Sequence, residues 1–118
     1  MLRKMTALSS VVSKLNQFAP LSAAESWDNV GLLIEPSRGA ANVSVERVLL
    51  TNDLSSAVVD EALERRVQLI VTYHPILFAA TKRLDARRQS VPLRCVESQI
   101  AVYSPHTAVD AKANGVND

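Results

Sequence analysis

The sequence predicts an α/β fold: βαβ units with a mainly parallel sheet flanked by helices. Two observations carry that expectation. Between residues 46 and 104, short strand-like runs alternate with segments of helical period, in the order strand, helix, strand, helix, strand. Those runs are close to continuously apolar, as in Arg47-Val48-Leu49-Leu50-Thr51, which is the pattern of a strand covered on both faces.

Each element has a local reason. Residues 7–19 place Leu8, Val11, Val12, Leu15, Phe18 and Ala19 at helical spacing, and Pro20 ends the segment. Residues 23–29 are a turn-rich connector. Val30 to Ile34 is a short strand closed by Pro36, Ser37 and Gly39. Arg47 to Thr51 is the next strand. Ser55 to Arg66 follows as a helix with Ala57, Val58, Ala62 and Leu63 on one side, and Ser55 or Asp53 can cap it. Leu69 to Thr72 is a buried strand. Residues 75–85 are irregular. Arg88 to Ser98 is a helix with Pro92 near its first turn, and Ile100 to Ser104 is the last strand.

Composition bounds the function. The chain has 118 residues, room for one small domain, with 47% hydrophobic and 21% charged residues. Thirteen basic residues against twelve acidic ones give a net charge of +1, which lends no support to direct nucleic-acid or membrane-surface binding by bulk electrostatics. No apolar run approaches the roughly 20 residues that span a bilayer. A single cysteine, Cys95, cannot form an internal disulfide and reads as a small buried hydrophobe rather than a reactive thiol. These features fit a cytoplasmic or nuclear protein. Met1 to Val12 carries Arg3 and Lys4 and no acid, a weak likeness to a mitochondrial leader, but the start of a helix is preferred. Phosphate-binding glycine motifs and a nucleophile elbow are both missing from the sequence.

Chemistry concentrates in two stretches that hold both histidines, Thr72-Tyr73-His74-Pro75 and Tyr103-Ser104-Pro105-His106-Thr107-Ala108-Val109-Asp110. In open parallel sheets, ligands bind beyond the carboxyl ends of the strands. Asp53, His74 and His106 each fall just past the last apolar residue of a strand. Neutral imidazole is a good ligand for zinc, iron, nickel or cobalt. His106 and Asp110 are spaced i, i+4, so a helical turn from Thr107 would bring them roughly 6 Å apart at Cβ. Pro75 and Pro105 stiffen the backbone beside each histidine. Asp53 also stands where a helix cap belongs, and capping is preferred there. For Trp27-Asp28-Asn29, turn formation around an anchored aromatic is preferred over ligand binding.

The motifs, taken in order, resemble a known family. Ser26-Trp27-Asp28-Asn29-Val30-Gly31-Leu32-Leu33, Leu50-Thr51-Asn52-Asp53-Leu54-Ser55, Tyr73-His74-Pro75, the stretch from Tyr103 to Asp110, and Gly115-Val116-Asn117 are similar to the Nif-three-like proteins (NGG-interacting factor three-like, GTP cyclohydrolase type-one-like), in their eukaryotic form. The resemblance covers nearly the whole chain from Leu8 onward.

That resemblance implies a dinuclear metal site in a cleft, self-association into dimers or rings, and protein partners in transcription-linked complexes. It implies a regulatory, protein-interaction role, with a metal-dependent hydrolase acting on GTP or another phosphate-containing substrate as the alternative. Carried over by motif, His74 and Asp110 are metal ligands and His106 lies beside them, with zinc or iron the expected divalent ion. Two departures follow. Tyr73 replaces the first histidine of the family's His-His-Pro, and the His-x-x-x-Glu motif expected further along is absent. Residues 1–118 therefore read as a single, N-terminal and truncated part of a family domain with an incomplete ligand set.

Overall fold

The computed structural model describes residues 5–112. Its centre is a four-stranded sheet of β2 (Gly31–Ile34), β4 (Val48–Thr51), β5 (Leu69–Thr72) and β6 (Ala101–Ser104), in the spatial order β2-β6-β5-β4. The β4–β5 and β5–β6 pairs are parallel, and β2 runs antiparallel to β6. The helices are α1 (Leu8–Phe18), α2 (Ser56–Glu64), α3 (Ser90–Glu97) and a single turn α4 (Thr107–Asp110). The expected mainly parallel α/β architecture is present. Gly115-Val116-Asn117, Arg3 and Lys4 lie outside the described residues.

Alternation along the strands divides the core into two faces. Ile34, Ile70 and Val102 meet Val59 and Ala62 of α2 and Cys95 of α3 on one side. Leu69, Ala101 and Tyr103 meet Leu8 of α1 on the other, together with Val43 and Val45. β5 and β6 are central, so both their faces are sealed and their sequences are mainly apolar, each ending in a buried hydroxyl residue, Thr72 and Ser104. Helix α2 begins where the Ser55 hydroxyl accepts the N–H of Val58 at 3.4 Å. Ser55 is thus the cap, and Asp53 is free for other contacts.

Three features depart from expectation. A two-stranded antiparallel ribbon joins β1 (Thr6–Ala7) to β3 (Ser44–Val45), and strands this short carry no readable period. β4 was expected to be covered on both faces, yet Leu50 is 76% exposed and Val48 is 44% exposed. It is an edge strand: Leu49 packs toward α2, while α1 does not reach across to the opposite face. Finally, the antiparallel β2 pairs Gly31 with Ser104, so the residues leading into β2 arrive at the same sheet edge where the parallel strands end.

Candidate metal centre at the carboxyl edge of the sheet

Asp53, His74 and His106 each lie two residues beyond a strand, after β4, β5 and β6 respectively. Two buried hydroxyls hold those exits. Thr72 Oγ1 donates to the carbonyl of His74 at 3.1 Å, and Ser104 Oγ donates to the carbonyl of Tyr73 at 2.9 Å. Both side chains are fully enclosed, so these bonds answer a polar burial cost and fix the loop at the same time. The His74 N–H donates to the Asn52 carbonyl at 3.0 Å, which ties the exits of β4 and β5 together.

The two imidazoles are each oriented by a carboxylate. His74 Nδ1 is 2.8 Å from Asp53 Oδ1. His106 Nδ1 is 3.0 Å from both oxygens of Asp28. An ionised carboxylate can only accept, so each Nδ1 carries a proton, and the neutral form of each ring has its lone pair on Nε2. This is the arrangement by which proteins set the tautomer of a metal-binding histidine. The rings lie 5.6 Å apart between centroids.

Asp28 is the strongest electrostatic feature. Its side chain is fully buried. Burial alone would raise its pKa. Hydrogen bonds from His106, from the Thr107 hydroxyl at 2.6 Å and N–H at 3.2 Å, and from the Asn29 N–H at 2.9 Å outweigh that and lower it to about 2. Thr107 in turn accepts the N–H of Glu25 at 2.9 Å. This network holds His106 at φ 33°, ψ −116°, a strained backbone for a residue with a side chain.

Tyr73 stands in the middle of the group. Its ring is 4.8 Å from His74 and 5.2 Å from His106. Its hydroxyl donates to Asp110 at 2.7 Å and 2.9 Å to the two oxygens. That bond, burial and the nearby carboxylates push the phenol above its usual value, so Tyr73 stays protonated. The turn expected from Thr107 is α4, and it carries Asp110 to this cluster.

The three residues expected to hold metal, His74, Asp110 and His106, thus gather around one phenol. Sequence reasoning preferred a cap for Asp53 and a turn for Asp28. The structure instead gives each an imidazole, although Asp28 also binds the neighbouring N–H of Asn29 as a turn residue does. The donor chemistry fits a divalent ion, with Nε2 lone pairs of His74 and His106 and a carboxylate at Asp110. Among the described residues, however, no three His, Cys, Asp or Glu side chains are grouped closely enough to hold one. The described residues alone therefore fall short of a complete coordination shell. Cys95 adds nothing to it, since burial pushes its thiol up to about 11.

A mainly parallel sheet flanked by helices, with carboxylate-oriented histidines at its carboxyl edge, defines a protein of the α/β class. The family described as Duf34/NIF3 (NGG1p interacting factor 3) matches residues 6–118, and the chain belongs to it. It is 48% identical to NIF3-like protein 1 of Drosophila melanogaster over all of its own length and 42% of the relative. It is 38% identical to NGG1-interacting factor 3 of Saccharomyces cerevisiae, over 94% of this chain and 41% of that one. A solved Bacillus cereus protein related to NIF3 superposes with a TM-score of 0.87 at 30% identity, covering 98% of this chain and 32% of the other. The chain thus spans less than half the length of these relatives. No helix among the described residues is long and apolar enough to cross a membrane.

Proposed function

We propose that this chain is a metal-binding, protein-interacting regulator, with His74, His106 and Asp110 as its contribution to a divalent metal site. The observation that carries this reading is the hydrogen bond that the single Tyr73 hydroxyl proton shares between the two oxygens of Asp110. It satisfies a carboxylate that a catalytic ion would need, so the site binds an ion at the expense of that bond and is poorly arranged for turnover. Zinc or iron suits two imidazoles and a carboxylate. Protein partners are supported by the yeast relative's being named an interacting factor. Self-association is proposed through the edge strand β4, whose Val48 and Leu50 share one uncovered face. A single buried thiol without a disulfide supports a reducing compartment, cytoplasmic or nuclear.

The alternative is a metal-dependent hydrolase of GTP or another phosphate-containing substrate. The paired Asp53–His74 and Asp28–His106 units favour it, since they hold both Nε2 atoms ready for ligation or proton transfer. A divalent ion would supply Lewis acidity and an activated water there. Asp28 would stabilise a positive charge on His106 as that ring took up a proton.

Elemental analysis of the purified chain tests both readings. The expected result is bound zinc or iron in the unmodified protein and its loss in His74→Ala and Asp110→Ala. Partner proteins captured equally by those variants would support the interaction role. Metal content near zero in the unmodified chain removes both readings.

A further inference from the structure

A second concavity has neither histidine in its lining. Residues 79–89, between β5 and α3, enclose an open cleft of about 1110 Å³. Lys82, Arg83, Arg87 and Arg88 all line it, with Asp85 as the single acid. Four positive charges against one negative leave a local excess of three, in a chain whose total is only +1. The four cations are exposed, and none of their side chains meets a carboxylate among the described residues. Asp85 does not neutralise them through its side chain. Its Oδ1 accepts the backbone N–H groups of Arg87 at 3.1 Å and Arg88 at 2.9 Å, so the carboxylate serves to fold the turn that presents the two arginines.

We infer that this loop binds a polyphosphate group on a small molecule. Four unpaired cations in one concave surface repel one another, and a multiply charged anion removes that repulsion. A lone carboxylate is too small a charge to do so, whereas a di- or triphosphate matches it. Three of the four cations are arginines, whose planar forks take phosphate oxygens two at a time. The cleft is larger than a phosphate chain, so an organic portion fits beside it. Among the described residues, no aromatic side chain lines the cleft, so they provide no platform on which a base could stack. Recognition is therefore of the phosphates, and nucleotides that differ in base bind alike. The site does not depend on the metal reading, because none of its residues belongs to the histidine cluster.

Isothermal titration of the whole chain with inorganic triphosphate, at low salt and in the presence of a chelator, tests this. The expected result is saturable one-to-one binding that weakens with salt. It should weaken at least tenfold in Arg83→Ala/Arg87→Ala and by less in Arg83→Lys/Arg87→Lys, which keeps the charge but loses the forks. His74→Ala should bind as the unmodified chain does. Absence of saturable binding, or unchanged affinity in the double alanine variant, overturns the proposal. So does binding that disappears in His74→Ala, which would place the anion at the histidines. Equal or tighter binding of an acidic peptide or a short DNA duplex would also overturn it, by showing a surface selective for charge alone.

Discussion

Asp28→Asn separates the buried charge from the shape around it. The carboxylate is enclosed, accepts from His106, Thr107 and Asn29, and has its pKa lowered from 3.8 to about 2. A lowered folded pKa means that the ionised group stabilises the fold above its unfolded pKa. That stability is lost as the pH falls through the folded value. The shift corresponds to about 2 kcal/mol at pH 7, which for a chain of this size is a fall of roughly 8 °C in Tm. About half of the contribution should remain at pH 3 and almost none below pH 2. Urea unfolding of the unmodified chain and the asparagine variant, repeated from pH 7 down to pH 3, reads the difference directly. The gap should narrow on acidification because only the unmodified chain loses a charge at this position. A gap that stays constant with pH, or that is absent at pH 7, would refute the claim that Asp28 is held ionised by this network.

The two tyrosines should titrate late. Tyr73 is raised by its bond to Asp110 and Tyr103 by burial, so the folded chain should show little phenolate absorbance at pH 10, with the signal appearing on unfolding. The neutral phenols stabilise the fold below the ordinary value of 10.0, and that contribution should be lost as the pH rises through the folded values. Gly31→Ala should cost about 1–2 kcal/mol in urea unfolding. Gly31 has φ +104°, and an added Cβ would sit 2.9 Å from Leu21 Cδ1. Cys95 should resist a thiol reagent in the folded chain and react at once in denaturant, because it is fully buried and its thiol is pushed up to about 11.

Most of the sheet was legible because β5 and β6 are covered on both faces, and such strands write continuous apolar runs. The same pattern misled at β4. Val48, Leu49 and Leu50 read like an interior strand, but whether a strand lies at an edge depends on the order of pairing, which composition does not record. The His74, His106 and Asp110 gathering was legible because parallel strands deliver their exits to one edge, and because i, i+4 spacing on a turn is a local property. Asp28 was harder. It lies 78 residues from His106 in sequence, and only the antiparallel pairing of β2 with β6 brings it there. The one available signal was the strand candidate immediately after it: a β2 laid antiparallel beside the last strand puts residues 27–29 at the ligand edge. Asp53 was obscured by Ser55, since both residues can cap a helix and only the backbone path decides which one does.

Long-range proton–nitrogen NMR of the two imidazoles, recorded with and without added zinc, tests the central claim most directly. The account predicts that His74 and His106 keep a protonated Nδ1 throughout, and that the Nε2 resonances move to the range of a ligated nitrogen when zinc is added. Nε2 signals that ignore zinc, or ligation through Nδ1, would contradict it.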